Sequence, residues 1–514
     1  MSMELCIALL NMKRFSPDII FNSEHLSHDL ARKSIRGGMT TMAAQGVQFA
    51  LQLAGTVVLA RLLTPGDYGL IGMVTVVVNF AAMFKDAGLS MATVQKDQIT
   101  HEQISTLFWL NVLISAFLGL CVLVCSPLVA WFYGKPELTA VTAALSLSFI
   151  ITGLTIQHSA LLRRHMQFGT LAVIQISSYV LNIIVTILLA LLGFRYWALV
   201  GGTLATALSG TLLTLFFCPW LPGRMKKGTG VRDMLAFGGH LTGFNFINYF
   251  ARNADNILIG KFIGADALGL YAKAYQLFMM PISQIRAPLN QVAMPVLSSL
   301  RNQPERYIKY YQRLIDIMAS MIFPLTIYCA IEAPFLIRML LGPQWMGVVP
   351  VFRILTIAGL IQPTFGTAGV VMLSFGYAKR QLKLGIINSF LIISSFVVGL
   401  PFGIIGVAWA YTIITYVAFI PLLFLCFRGT PVKMGLFMKA HIMPIVLSMI
   451  SILPLIIRAT LQSNTLSGYA ISSAIFVLVY SSITFRRESV RNMLQMLLRN
   501  SQFPHIGGQI RNDK

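Results

Sequence analysis

The chain has 514 residues, 56% hydrophobic and only 11% charged, with a mean hydropathy of +0.75. About 20 apolar residues suffice to span a bilayer, and this balance excludes an ordinary soluble domain. A net charge of +22 raises nucleic-acid binding as a reading, but the placement of the charges excludes it.

Residues 1–37 read as a mostly polar cytoplasmic tail, since residues 5–10 are too short and wrongly flanked for a signal peptide. The membrane pattern begins only near Ile35, so a start codon upstream of the native one is one reading of this tail. Fourteen apolar runs follow, at about 38–60, 69–92, 104–130, 138–160, 170–192, 196–218, 236–260, 268–297, 312–333, 350–375, 384–402, 404–427, 437–457 and 467–485. The division between the eleventh and twelfth rests on Pro401 and Gly403, and 12 or 13 spans is the alternative count. The expected fold is an all-α integral membrane protein of about 14 transmembrane helices. Two pseudo-symmetric six-helix lobes, 38–218 and 236–427, are joined by a basic linker at 219–235. Two extra spans lie within 428–486, and 487–514 form a C-terminal tail.

Of the 39 Lys and Arg, 28 fall in the tails and even-numbered connections, six in the odd connections, and five in or near spans. Basic residues favour the cytoplasmic side, so both termini are expected there. The basic excess then reports topology and attraction to anionic lipid heads.

Two polar stripes recur 200 residues apart. Thr41, Gln45, Gln48 and Gln52 lie at helical spacing in the first span; Asn245, Asn248, Arg252 and Asp255 do so in the seventh. At the same offset Gly38 meets Gly238, Arg61 meets Lys261, and Gly69-Leu70 meets Gly269-Leu270. Gly153-Leu154 meets Gly359-Leu360 at an offset of 206. Six spans separate the copies, so they share one orientation. Parallel repeats place a substrate site at their interface near the midplane. A polar face within lipid must meet a partner or a wet cavity, which is the plan of a transporter.

Of the five cations in or near spans, which include Arg353, four, Lys85, Arg252, Lys273 and Arg286, are set against two carboxylates, Asp86 and Asp255. Each costs on the order of 3 kcal/mol at the bilayer centre. The positive surplus suits an anionic ligand, and guanidinium donors suit phosphate oxygens. The bland alternatives are that Arg252 neutralises Asp255, that Arg286 pairs with Asp86, and that Lys85 snorkels to the cytoplasmic surface. The amides Gln45, Gln48, Gln52, Asn245 and Asn248 suit sugar hydroxyls, or else bond neighbouring helices. Asp86 and Asp255 are candidate sites for a coupling proton or Na+. No GxxxxGK[ST], HExxH or GxSxG occurs, and Cys121 and Cys125 share a face without further ligands. No metal or cofactor is expected. Histidines such as His158, His165 and His240 lack sequence partners. Connections are short, the longest on the periplasmic side being about 334–349, which disfavours a membrane polysaccharide polymerase or ligase.

The segments "LARLLTPGDYGLIGM", "FKDAGLSMATVQ" and "TLFWLN" within Val57–Asn111 resemble a known family. So do "IGKFIGADALGLYAKAYQL" and "LGPQWMGVVPVFRIL" in the second half. They are similar to polysaccharide flippases of the multidrug/oligosaccharidyl-lipid/polysaccharide exporter superfamily, in the colanic-acid-type lipopolysaccharide-biosynthesis branch. The resemblance covers about Ile35 to Arg428. It implies an inner-membrane flippase moving undecaprenyl-diphosphate-linked oligosaccharide repeat units by alternating access, working with a polysaccharide polymerase and chain-length machinery. It transfers no residue set. The rival readings are a multidrug/cation antiporter of the same superfamily, the polymerase or ligase, and a non-transporting scaffold.

Overall fold

The structure, a computed structural model, describes residues 30–86, 88–96, 99–226, 249–250, 252–460 and 465–485. All regular elements among these are helical, and they fall into two compact units. The first takes the described residues up to Lys273 with Ile337–Val348 and Phe396–Val407; the second takes Ala274–Leu336, Val349–Ser395 and those from Ala408 onward.

The first unit opens with α1 (Leu30–Leu62) and α2 (Pro65–Ala82). The sequence Thr64-Pro65-Gly66-Asp67 starts α2 by a reciprocal cap. The Asp67 amide donates to Thr64 Oγ1 (3.3 Å) and the Thr64 amide to Asp67 Oδ2 (3.0 Å). Such a box satisfies amides that a helix start leaves without partners. There follow α3 (Leu89–Gln95), α4 (His101–Val124), α5 (Ser126–Tyr133), α6 (Glu137–Gly153), α7 (Ile156–Arg164), α8 (Phe168–Leu191) and α9 (Tyr196–Phe217). Helix α9 packs along α8, α8 against α1, and α2 against both α6 and α9. Helices α6 and α7 meet at a bend of 43°. Residues 252–262 are helical and precede α10 (Ala265–Ser299).

In the second unit α10 carries Pro281, Pro288 and Pro295 and continues to α11 (Pro304–Ile331). Next come α12 (Ala333–Leu340), α13 (Val348–Ala358), α14 (Gln362–Phe365), α15 (Thr367–Ser374), α16 (Ala378–Gly399) and α17 (Gly403–Phe427). The last helices are α18 (Met434–Ser451), α19 (Leu453–Thr460) and α20 (Leu466–Phe485). The core packs Tyr307, Tyr311, Ile315 and Met318 of α11 against Val371 of α15, Leu423 of α17 and Phe437 of α18. Tyr311 and Tyr307 share hydrogen bonds with Thr367 (2.9 Å) and Ser374 (2.8 Å). Glu332 Oε1 accepts from Arg458 Nη2 at 2.6 Å, both buried.

Among the described residues eight helices are long and apolar enough to cross a membrane, or ten with the two bent pairs counted. This is fewer than the fourteen expected. The seventh expected span lies mostly outside the described residues, α10 is more polar than these helices, 378–427 counts once, and the apolar part of the last helix, Ser467–Ser482, is short. Yet the chain turns between α16 and α17. A Cβ on Gly399 would lie 2.6 Å from the Gly406 carbonyl, whereas seven residues of continuous helix would separate the two by about 10 Å.

Candidate binding cavity

Within the first unit a cavity of about 580 Å³ opens between α2, α6, α8 and α9. Its walls mix apolar side chains such as Val78, Phe149 and Ile174 with polar residues at helical spacing in otherwise apolar spans. Helix α9 contributes Thr203, Thr206, Gly210 and Thr214, at intervals of three and four; α8 contributes Tyr179 and Asn182. Helix α6 adds Ser148 and Thr152, the α6–α7 bend adds Thr155, and α2 ends there with Asn79 and Lys85 beyond it.

The threonine protons are committed to the helix backbone. Thr203 donates to Leu199 O (2.9 Å), Thr206 to Gly202 O (3.0 Å) and Thr214 to Gly210 O (2.6 Å). Their oxygens therefore present lone pairs, and Thr206 accepts from Asn182 Nδ2 at 2.9 Å. The Lys85 ammonium donates to Thr152 Oγ1 at 2.6 Å. An ammonium has three donors, so others are available to an oxyanion. No carboxylate lines the cavity among the described residues. A ligand with hydroxyl donors and a negative charge complements this wall.

The structure distributes the expected site residues unevenly. Lys85 lines the cavity, directed to Thr152. Asp86 beside it is taken by Ser90, whose amide donates at 2.9 Å and whose hydroxyl also donates, so this carboxylate caps α3. Asp255 is buried, accepts from the Asn256 amide at 2.8 Å and neighbours Tyr271. Arg252 is exposed, and no ion pair joins it to Asp255 among the described residues. Lys273 is buried with its Nζ 3.8 Å from the Tyr68 ring centroid, a cation–π contact. Arg286 is half-buried in the second unit beside Gly366. Gln45 is exposed, Gln48 and Gln52 are half-buried, and none is among the cavity walls. Asn245 and Asn248 lie outside the described residues. Sequence reasoning misses the threonine stripe of α9 and the Tyr179–Asn182 pair. Their three-and-four spacing is visible, but threonine bonds its own helix and signals less strongly than an amide or a charge.

The 200-residue repeat reappears as reciprocal contacts within the first unit. A Cβ on Gly69 would lie 1.8 Å from Ala265 O, and one on Gly269 would lie 1.9 Å from Pro65 O. Arg61 donates to Met339 O (2.8 Å), and its repeat partner Lys261 donates to Phe132 O. Trp345 Nε1 and Gln344 Nε2 both donate to Ala60 O, at 2.7 and 2.8 Å.

A helical membrane bundle with an open cavity that carries a cation among hydroxyl and amide groups has the plan of a membrane transporter. The chain belongs to the polysaccharide biosynthesis protein family, whose model matches residues 58–350. It is 29% identical over 349 residues to the teichuronic acid biosynthesis protein TuaB of Bacillus subtilis (66% of this chain, 71% of that one). It is 24% identical over 392 residues to the lipopolysaccharide biosynthesis protein WzxC of Escherichia coli (75% and 79%). It shares its fold with the lipid II flippase MurJ in an inward closed conformation, at a TM-score of 0.69 and 15% identity, covering 88% of this chain and 99% of that one. An inward-facing multidrug resistance MATE family transporter superposes at 0.59 with 18% identity, covering 74% and 93%.

Proposed function

We propose that this protein is a flippase moving lipid-linked oligosaccharides for surface polysaccharide assembly, and not an enzyme. The observation that carries the reading is the Lys85 ammonium in a cavity walled by threonine and asparagine oxygens and free of carboxylates among the described residues. Family membership and the names of TuaB and WzxC support it. Undecaprenyl-diphosphate-linked repeat units are the substrate that fits. The diphosphate meets the cations, the glycan meets the hydroxyl-accepting wall, and the polyprenyl chain stays in lipid. Neutralising the diphosphate offsets its cost of leaving water.

The layout that serves this function is fourteen spans in the inner membrane, with lobes 38–218 and 236–427, a linker at 219–235, and both termini cytoplasmic. The reciprocal Gly69 and Gly269 contacts support two lobes that meet closely at α2 and α10. Arg252, Lys273 and Arg286 are further candidates for the diphosphate, and a polymerase with chain-length machinery would use the product.

The MATE-like fold raises a cation antiporter as a second reading. An organic cation calls for carboxylates in the wall, and the described wall offers an ammonium. In a deletion strain, mass spectrometry of lipid-linked intermediates combined with a sidedness assay decides. Single repeat units accumulating on the cytoplasmic face, with surface polymer lost, is the expected result. Normal polymer with altered drug susceptibility would establish the antiporter instead.

A further inference from the structure

A histidine in the second unit occupies a position that the sequence does not single out. His441 lies on α18, buried, between the rings of Phe323 and Phe437. Its Nδ1 stands 2.7 Å from Phe437 O, and its Nε2 stands 2.9 Å from Thr364 Oγ1. A carbonyl only accepts, so Nδ1 carries a proton. The state of Nε2 depends on Thr364, whose single hydroxyl proton has two acceptors within reach: Ile361 O at 3.0 Å and His441 Nε2. If the hydroxyl donates to Ile361, Nε2 must itself be protonated and the ring is an imidazolium. If it donates to Nε2, the ring is neutral and the Ile361 bond is lost. One arrangement of heavy atoms thus serves two protonation states, and the threonine hydroxyl reports which is present.

The position of Thr364 gives this a mechanical consequence. It lies in α14, just past the break at which α13 and the α14–α15 segment meet at 42°. Its bond to Ile361 staples the turn at that break. Two residues on, a Cβ at Gly366 would lie 3.6 Å from Arg286 Nη1. At the other side of the break, a Cβ at Gly359 would lie 2.1 Å from Phe278. The bend is therefore packed tightly around glycines, next to a cation that is a candidate for the diphosphate. Asp316, also buried, lies two turns from Phe323 on α11. Helix α20, which packs on α18, offers Tyr469 and Tyr480, the latter donating to Ser320 O. Helix α19 brings Arg458, held by Glu332.

We propose that His441, with Thr364 as its switch, is a proton-binding site that couples proton uptake to the bend beside Arg286. The coupling half rests on the flippase reading; the proton site stands without it. A protonated His441 frees the Thr364 hydroxyl to close the turn at Ile361, and a neutral one releases it. Asp86 and Asp255, by contrast, accept from Ser90 and from the Asn256 amide.

Histidine-selective nitrogen NMR of the full chain in lipid nanodiscs tests the proton site. The expected result is a resonance, absent from His441→Gln, that passes from singly to doubly protonated as the pH is lowered through the range in which the protein stays folded. One tautomer throughout that range would overturn the proposal. Vesicles given a pH gradient test the coupling, with a fluorescent undecaprenyl diphosphate disaccharide as probe. The gradient is expected to speed translocation several-fold in the native protein and in Thr364→Ser, and to have no effect in His441→Gln or Thr364→Val. An unchanged response in His441→Gln would overturn the coupling. Titration of His441 in a protein that moves no probe at all would uphold the proton site and refute the flippase reading.

Discussion

Lys85 is the residue on which binding should depend most directly. Hydrogen bonds to a charged group contribute about 1.5–3 kcal/mol, so Lys85→Ala should weaken binding of a diphosphate lipid by ~10- to 100-fold. Lys85→Arg keeps the charge and should retain most of it. Direct binding of the lipid-linked substrate to purified protein, at matched membrane insertion, measures both. Equal affinity in the alanine variant would remove Lys85 from the site. Asn182→Leu should have a smaller effect of about 1 kcal/mol, the typical worth of a neutral hydrogen bond, because Asn182 touches Thr206 and not a charge. At this scale the sequence is legible in part. The cost of burying an ammonium is enough to single out Lys85 from its place in an apolar span. The same argument nominates Asp86, but a carboxylate near a helix start is equally well used as a cap, and Ser90 takes it. Spacing alone does not separate these outcomes, because both use a carboxylate held near backbone amides.

At the scale of elements, two contacts carry sharp expectations. The backbone of α2 at Gly69 touches that of α10 at Ala265, and backbone cannot swing aside as a side chain can. Gly69→Val should therefore push α2 and α10 apart and lower stability by about 1–3 kcal/mol, the usual range for overpacking. Thermal unfolding in detergent checks this, and Gly46→Val, where a Cβ meets nothing within 4 Å, is the control. The second contact is the buried pair of Glu332 and Arg458, which ties the end of α11 to α19. Glu332→Gln leaves the guanidinium buried without its counter-charge and should cost about 3–5 kcal/mol. The double change Glu332→Leu with Arg458→Met should recover much of that loss, since a buried ion pair gains little over apolar packing. A double variant as unstable as the single one would mean the charges have a role beyond compensating each other. Helix starts are legible here: the Thr64–Asp67 cap is readable in four letters. The reciprocal crossing is half legible. The repeat places Gly69 and Gly269 at matching positions, but that each meets the other's helix requires the fold.

At the scale of the whole molecule, the distribution of basic residues predicts sidedness. Gln303, beside Arg301 and Arg306, lies in an even-numbered connection and is expected to face the cytoplasm. Arg195, between α8 and α9, lies in an odd one and should face outward. Single-cysteine variants at these positions, labelled with a membrane-impermeant maleimide in intact cells, should react only at position 195. Reaction at 303 alone would invert the topology.

The sequence by itself determined that the chain is a helical membrane protein with costly polar groups held in its spans, some of them at positions matched 200 residues apart. These properties follow from transfer free energies and from the helical period, which act residue by residue. Tertiary structure alone decided which polar faces meet. It brought the α9 threonines opposite Lys85, moved Asp86 into a cap, and set His441 against Thr364 across 77 residues of chain. Such meetings depend on how helices pack and bend around each other, which glycine contacts and broken spans decide, and no local pattern encodes them.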